Sequence, residues 1–210
     1  MTTARKQQTT KALPRKKRRG VTTDLEILDS AEKLFARYGY DAVSTKQLAA
    51  ETGVTIGALY HYFPSKEAVY EAVIEQAFTR HSTLPEHFFN SGDSEQKKLS
   101  KLIAWFVGNL TASKSFGQLF QREILDSRSN NADKLITKYF HKPYNLFREL
   151  LRASLPTANQ DTAFATALAL CVGFANLNGI YTMAPEASKL LDSPEKIADH
   201  AVWLLLTAFR

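Results

Sequence analysis

The sequence predicts an all-α fold of about nine helices, an N-terminal three-helix helix-turn-helix head followed by a larger helical body. Three observations carry this. Apolar residues recur at three- and four-residue spacing through most of the chain. No stretch alternates apolar and polar residues over a strand's length. Capping signatures also open the helical patterns one after another. With 210 residues, of which 44% are hydrophobic and 11% aromatic, the chain has ample material for a core.

The elements follow in order. Residues 1–20 are polar and basic, contain Pro14 and Gly20, and are expected to be a disordered arm. Thr23-Asp24-Leu25-Glu26 fits a capping box and opens a helix carrying Ile27, Ala31, Leu34, Phe35 and Tyr38; Gly39 ends it. A second capping box, Ser44-Thr45-Lys46-Gln47, opens a short helix with Leu48 and Ala49, stopped by Gly53. Thr55 begins another, through Tyr62, which Pro64 ends, and Ser65 caps a longer helix from Lys66 to about His81. Pro85 to Asp93 reads as a loop. Beyond it the spacing predicts helices over Glu95–Thr111, Phe116–Ser127 and Ala132–Leu155, the last bent at Pro143. Asp161 is expected to cap a long helix to Ala184, and Ser193-Pro194-Glu195 opens the final one, to Phe209. The division is an arm (1–20), a head (21–66) and a body (67–210).

Charge is unevenly spread. Residues 1–19 hold eight basic and no acidic residues, whereas the remainder holds 19 basic and 21 acidic. A basic arm on a mildly acidic globule suggests a polyanionic partner, either nucleic acid or an anionic membrane surface. The first 20 residues lack a signal-peptide pattern. The longest apolar stretches, Ala163–Leu177 and Ala201–Phe209, fall short of the ~20 residues needed to cross a bilayer. A cytoplasmic protein without a membrane span is expected. The single cysteine, Cys171, excludes an internal disulfide framework and a multi-cysteine zinc site.

No constellation points to catalysis. There is no dinucleotide fingerprint, P-loop, zincin motif or nucleophile elbow. The five histidines show no ligand spacing, and Cys171 sits inside an apolar helix. No catalytic residue, metal or cofactor is therefore expected, and the chain reads as a non-enzyme.

The specific signal is Thr45–Tyr62, two short helices around a tight glycine turn. Ala49 is small where the second helix must cross, Gly53 supplies the positive φ of the turn, and Leu48, Val54 and Leu59 face inward. On these residues the chain resembles the TetR family of bacterial transcriptional regulators. The likeness covers about residues 21–78 and is sharpest in the run Gly57-Ala58-Leu59-Tyr60-His61-Tyr62-Phe63-Pro64-Ser65-Lys66. The resemblance implies an all-α homodimer with a DNA-binding head and an effector pocket that loosens DNA binding when filled. The leading reading is thus a ligand-responsive regulator, a repressor, on a palindromic operator. The alternative is a membrane-surface or scaffold protein using the arm, which leaves the helix-turn-helix unexplained.

In such a head the helix from Thr55 enters the major groove with Thr55, Ile56 and Ala58 nearest the bases. Ile56 and Ala58 offer only apolar contact, for example with a thymine methyl, while Lys46 can reach guanine O6 and N7. Thr45, Tyr60, Tyr62 and Lys66 are expected at phosphates, with the N-termini of the short helices. Tyr60 and Tyr62 lie about 200° apart on a helix, so at least one faces outward, and Tyr60 is favoured. His61 reaches a base or a phosphate, or is simply solvated. The arm Arg15–Arg19 either enters the minor groove or attracts DNA diffusely.

In the body, the helix Asp161–Ala184 and the final helix are too apolar for one packing face. The resemblance implies that they pair with their twins in a four-helix bundle, with Gly173 and Gly179 permitting close approach. Trp105, Phe106, Phe116, Phe120, Tyr139, Tyr144 and Phe147 are candidates to line the pocket, with Phe174, Asn178 and Tyr181 from the long helix. An aromatic lining with few charges suggests a neutral or amphipathic lipophilic effector.

Overall fold

A computed structural model describes residues 24–85, 88, 92–125, 134–177, 184–190 and 192–209. The described residues are helical, with no strand among them. In chain order the elements are α1 (Asp24–Tyr38), α2 (Thr45–Thr52), α3 (Ile56–Tyr62), α4 (Lys66–Ser82), α5 (Glu95–Ala112) and α6 (Lys114–Leu125). A single π-helical turn (Ile136–Phe140) then runs into α7 (His141–Ser154), followed by α8 (Gln160–Asn176), α9 (Pro185–Leu190) and α10 (Pro194–Ala208).

Side-chain caps fix most helix starts. Ser44, Thr55, Ser65, Ser94 and Ser193 each accept the backbone N–H three residues on. The Ser44 capping box is complete, since Gln47 Oε1 also accepts the Ser44 N–H at 2.8 Å. At α1, Thr23 lies outside the described residues, and Asp24 Oδ1 accepts the Leu25 N–H at 3.0 Å.

The hydrophobic core has two lobes. The first joins the head to α4 and α6 around the fully buried Phe35, Leu48, Leu59, Phe78 and Phe116. The second packs α5, α7, α8 and α10 around Leu99, Ile103, Leu151, Ala167 and Leu205. Trp105 and Phe106 on α5 pack against both lobes, so the two are one continuous interior. Close approach helps to hold them together. A Cβ on Gly117 of α6 would stand 2.5 Å from the Leu110 carbonyl oxygen of α5, a distance no side chain tolerates.

Four expectations need correction. The long helix starts two residues earlier than expected, capped by Asn159 rather than Asp161, and in the described residues it ends at Asn176, not Ala184. Leu177 leaves the helical conformation at φ −90°, ψ 11°, and the next pair, Asn178-Gly179, is itself a strong turn signal. A short helix, α9, then starts with proline at its first position. Pro143 does more than bend its helix: the hydrogen-bond register changes ahead of it. Pro143 has no N–H to offer the carbonyl four residues back, and the turn leading to it is π-helical. Finally, α6 begins at Lys114, two residues before the expected Phe116, because Ser113 Oγ accepts the Phe116 N–H at 3.2 Å and caps it.

Candidate nucleic-acid interface and apolar cavity

The turn between α2 and α3 is held by backbone geometry. Gly53 takes φ 73°, and the Val54 N–H reaches back to Ala49 O at 3.1 Å. Thr52 is buried because its hydroxyl donates to Leu48 O at 2.7 Å. Leu48, Ala49 and Leu59 are buried and Val54 is half-buried, which pins α3 against α2 by one face. The other face of α3 is open. Ile56 is 43% exposed, Tyr60 45% and Tyr62 39%, so both tyrosines reach solvent. His61 is exposed and its ring meets that of Tyr62 at 5.9 Å.

The expected contact residues differ in their exposure and in their partners. Lys46 on α2 is exposed, and Thr45 beside it is half-buried. Thr55 is exposed, but its oxygen is occupied in accepting the Ala58 N–H at 3.1 Å, leaving its O–H to donate. Ala58 is half-buried. Lys66 differs from the rest: its ammonium donates to Tyr40 O at 2.9 Å and Val43 O at 3.0 Å, inside the head. The arm, including Arg15–Arg19, lies outside the described residues.

In the body an apolar cavity opens where the two core lobes meet. Trp105 and Phe106 of α5 line it with Leu102 and Ile103. Phe120 and Ile124 of α6 and Phe78 of α4 form the side toward the head. Leu135, Ile136 and Phe140 of the π-helical segment, and Pro143, Tyr144 and Phe147 of α7, form another wall; Phe164, Leu168 and Cys171 of α8 close it. None of these residues is charged.

Five of the expected lining residues, Trp105, Phe106, Phe120, Tyr144 and Phe147, are thus in the wall. Tyr139, Phe174 and Phe116 are not. The π-helical register carries Phe140 inward and leaves Tyr139 at the rim of the first lobe, under the Lys138 ammonium. Phe174 turns to the His200 ring of α10, 5.9 Å away. Phe116 is spent in the core, stacked on His81 at 4.0 Å. Asn178 and Tyr181, like Gly179, lie outside the described residues. The sequence reading missed the aliphatic half of the wall because it sought aromatic side chains. Leu168 and Cys171 share a face of α8 by their three-residue spacing, a signal that was available.

Burial pushes the Cys171 thiol up to about 12. Its thiolate fraction at pH 8 is then on the order of one in ten thousand. A charged disulfide reagent is expected to leave Cys171 unmodified in the native chain and to titrate it within minutes in guanidinium. Prompt reaction of the native thiol would show that this wall is open to water.

One turn of α6 connects the cavity to α1, α4 and α8. Phe120 and Ile124 line the cavity. Between them, Gln121 donates to Asn176 of α8, and Glu123 accepts from the Tyr70 hydroxyl of α4. Arg122 donates from Nε to Ala36 O and from Nη2 to Arg37 O, both at 3.1 Å, and so satisfies carbonyls at the C-terminus of α1. Higher on the same helix, Ser115 donates to the buried Glu32 carboxylate of α1.

Two more large apolar side chains are exposed, Leu177 just past α8 and Trp203 on α10. Trp203 is 58% exposed and stacks on His200 at 5.7 Å; Leu177 is 41% exposed. A Cβ on Gly173 would meet open space.

The sequence profile described as "Bacterial regulatory proteins, tetR family" matches residues 27–73. The uncharacterized HTH-type transcriptional regulator YuxN of Bacillus subtilis is 32% identical over 90 residues, 43% of this chain and 31% of that protein. The HTH-type transcriptional repressor KstR2 of Rhodococcus jostii is 27% identical over 139 residues, 66% of each. The matched segment thus spans less than two thirds of these relatives' own length. Among solved structures, FadR from Bacillus subtilis, determined in complex with stearoyl-CoA, superposes with a TM-score of 0.62 at 17% identity, covering 90% of this chain and 100% of that one.

Proposed function

This chain belongs to the TetR family of bacterial regulatory proteins, by the head that residues 27–73 build, and from that premise we propose that it is a transcriptional repressor released from its operator by a lipophilic small molecule. The observation that carries the reading is α3, whose exposed face presents Ile56, Tyr60 and Tyr62 while Leu59 pins it to the head. In the proposed complex the start of α3 enters the major groove. Ile56 contacts a base edge by its apolar surface, Thr55 beside it donates its hydroxyl to a base or a phosphate, Lys46 reads a neighbouring pair, and Thr45, Tyr60 and Tyr62 hold phosphates. Two chains pair through α8 and α10, burying Trp203, and present two such helices to an inverted repeat.

Release follows from the placement of α6. A ligand in the cavity presses on Phe120 and Ile124, and the same turn carries Arg122 to α1 and Glu123 to α4. An uncharged wall suits the apolar part of a ligand, with any charged group left at the mouth. FadR, which shares the fold, binds stearoyl-CoA, and a long acyl chain satisfies the same requirement here.

Selection of binding sites from a random duplex pool tests the proposal. The intact chain is expected to enrich an inverted repeat, and Lys46→Ala or Ile56→Ala to change the preferred bases within each half. An unchanged preference in both variants would remove these two residues as base readers, and enrichment of no sequence would remove the function.

A further inference from the structure

We propose that Lys66 is a positioning residue that clamps the loop between α1 and α2, and so sets the pose of α2 and α3, rather than a ligand of the DNA backbone. The inference rests on the DNA-binding reading above and assigns this lysine a role within it. Lys66 opens α4, and its half-buried side chain runs back under the loop. Two of its three N–H donors go to Tyr40 O at 2.9 Å and Val43 O at 3.0 Å. The ammonium also sits 4.0 Å from the centroid of the Tyr40 ring. That ring is anchored in turn, 6.2 Å from Phe35 and 5.1 Å from Tyr70 of α4.

The loop needs such a clamp. It starts at Gly39, at φ 81°, and within it the only backbone hydrogen bond among those between described residues is from the Val43 N–H to Tyr40 O at 3.3 Å. Without Lys66, the Val43 carbonyl would lose its side-chain partner and the Tyr40 carbonyl would keep only the long bond from the Val43 N–H. The surroundings also disfavour a phosphate. Burial raises the Tyr40 phenol, and the carboxylates of Glu67, Asp41 and Glu71 raise it further, so this corner of the head carries negative charge.

Lysine-selective reductive methylation, read residue by residue on the full chain, tests the assignment without a mutation. In the free protein Lys66 is expected to react at least tenfold more slowly than the exposed Lys46, and adding the selected duplex should leave its rate unchanged while protecting Lys46. Rapid modification of Lys66 in the free chain, followed by protection on DNA, would overturn the clamp. Because the free-chain comparison needs no DNA, it stands or falls separately from the DNA-binding reading.

A variant adds a second, independent readout. Lys66→Met should lose operator affinity at least tenfold, with the slope of log affinity against log salt unchanged and scrambled duplex bound as before. A phosphate ligand would instead lower the slope by about 1.8 per dimer and weaken both duplexes alike, which contradicts the proposal.

Discussion

Removing residues 1–19 is expected to flatten the salt dependence of DNA binding by about four to seven in log–log slope per dimer, counting two to four phosphates neutralised by each arm at about 0.9 apiece. The head cannot supply this term itself. Residues 24–66 hold four basic and six acidic side chains, and the ammonium of one of the four, Lys66, is tied to two carbonyls. The arm, with eight positive charges and no negative one, is the source of attraction left to the N-terminal part of the chain. Affinity should fall most at low salt, while the preferred sequence survives because base edges are read by α2 and α3. Titrations between 50 and 200 mM salt on intact and truncated chains check it. Equal slopes would make the arm a free tail with no part in binding.

Phe78→Ala is expected to cost about 3–5 kcal/mol of stability, lowering Tm by roughly 6–20 °C in a chain of this length. Phe78 is fully buried at the point where α4, α6 and the π-helical turn converge. Its ring meets Phe116 at 5.5 Å, Phe140 at 5.9 Å and Phe120 at 6.2 Å. Because Phe78, Phe120 and Phe140 also line the cavity, the substitution enlarges the space that a ligand would fill. A melting temperature within 2 °C of the parent would mean that this aromatic cluster does not hold the two lobes together.

The head was legible in the sequence because each of its features is local. Ser44 with Gln47, Gly53, and the small Ala49 are read at fixed offsets; the capping box and the left-handed Gly53 are as expected, and Ala49 is buried. What escaped was set by tertiary partners. Nothing near Lys66 in the sequence indicates that its ammonium turns to carbonyls 23 and 26 residues earlier. The inward face of the π-helical turn could not be read from a 3.6-residue period, so Phe140 was passed over and Tyr139 chosen. Arg122 reads as a surface charge until α1 is packed beside it. The early end of α8 is a different case: Asn178-Gly179, a turn signal in the sequence itself, was overlooked.

The central claim is that two copies of this chain bind one duplex through α3. Fluorescence anisotropy with the selected duplex and a scrambled one of equal length, at 0.15 M salt, tests it directly. The expected result is saturation at two chains per selected duplex, at least 10³-fold tighter than on the scrambled one, with that preference lost when Thr55 and Ile56 are both replaced by alanine. Equal affinity for the two duplexes, or a preference that survives the double substitution, would contradict it.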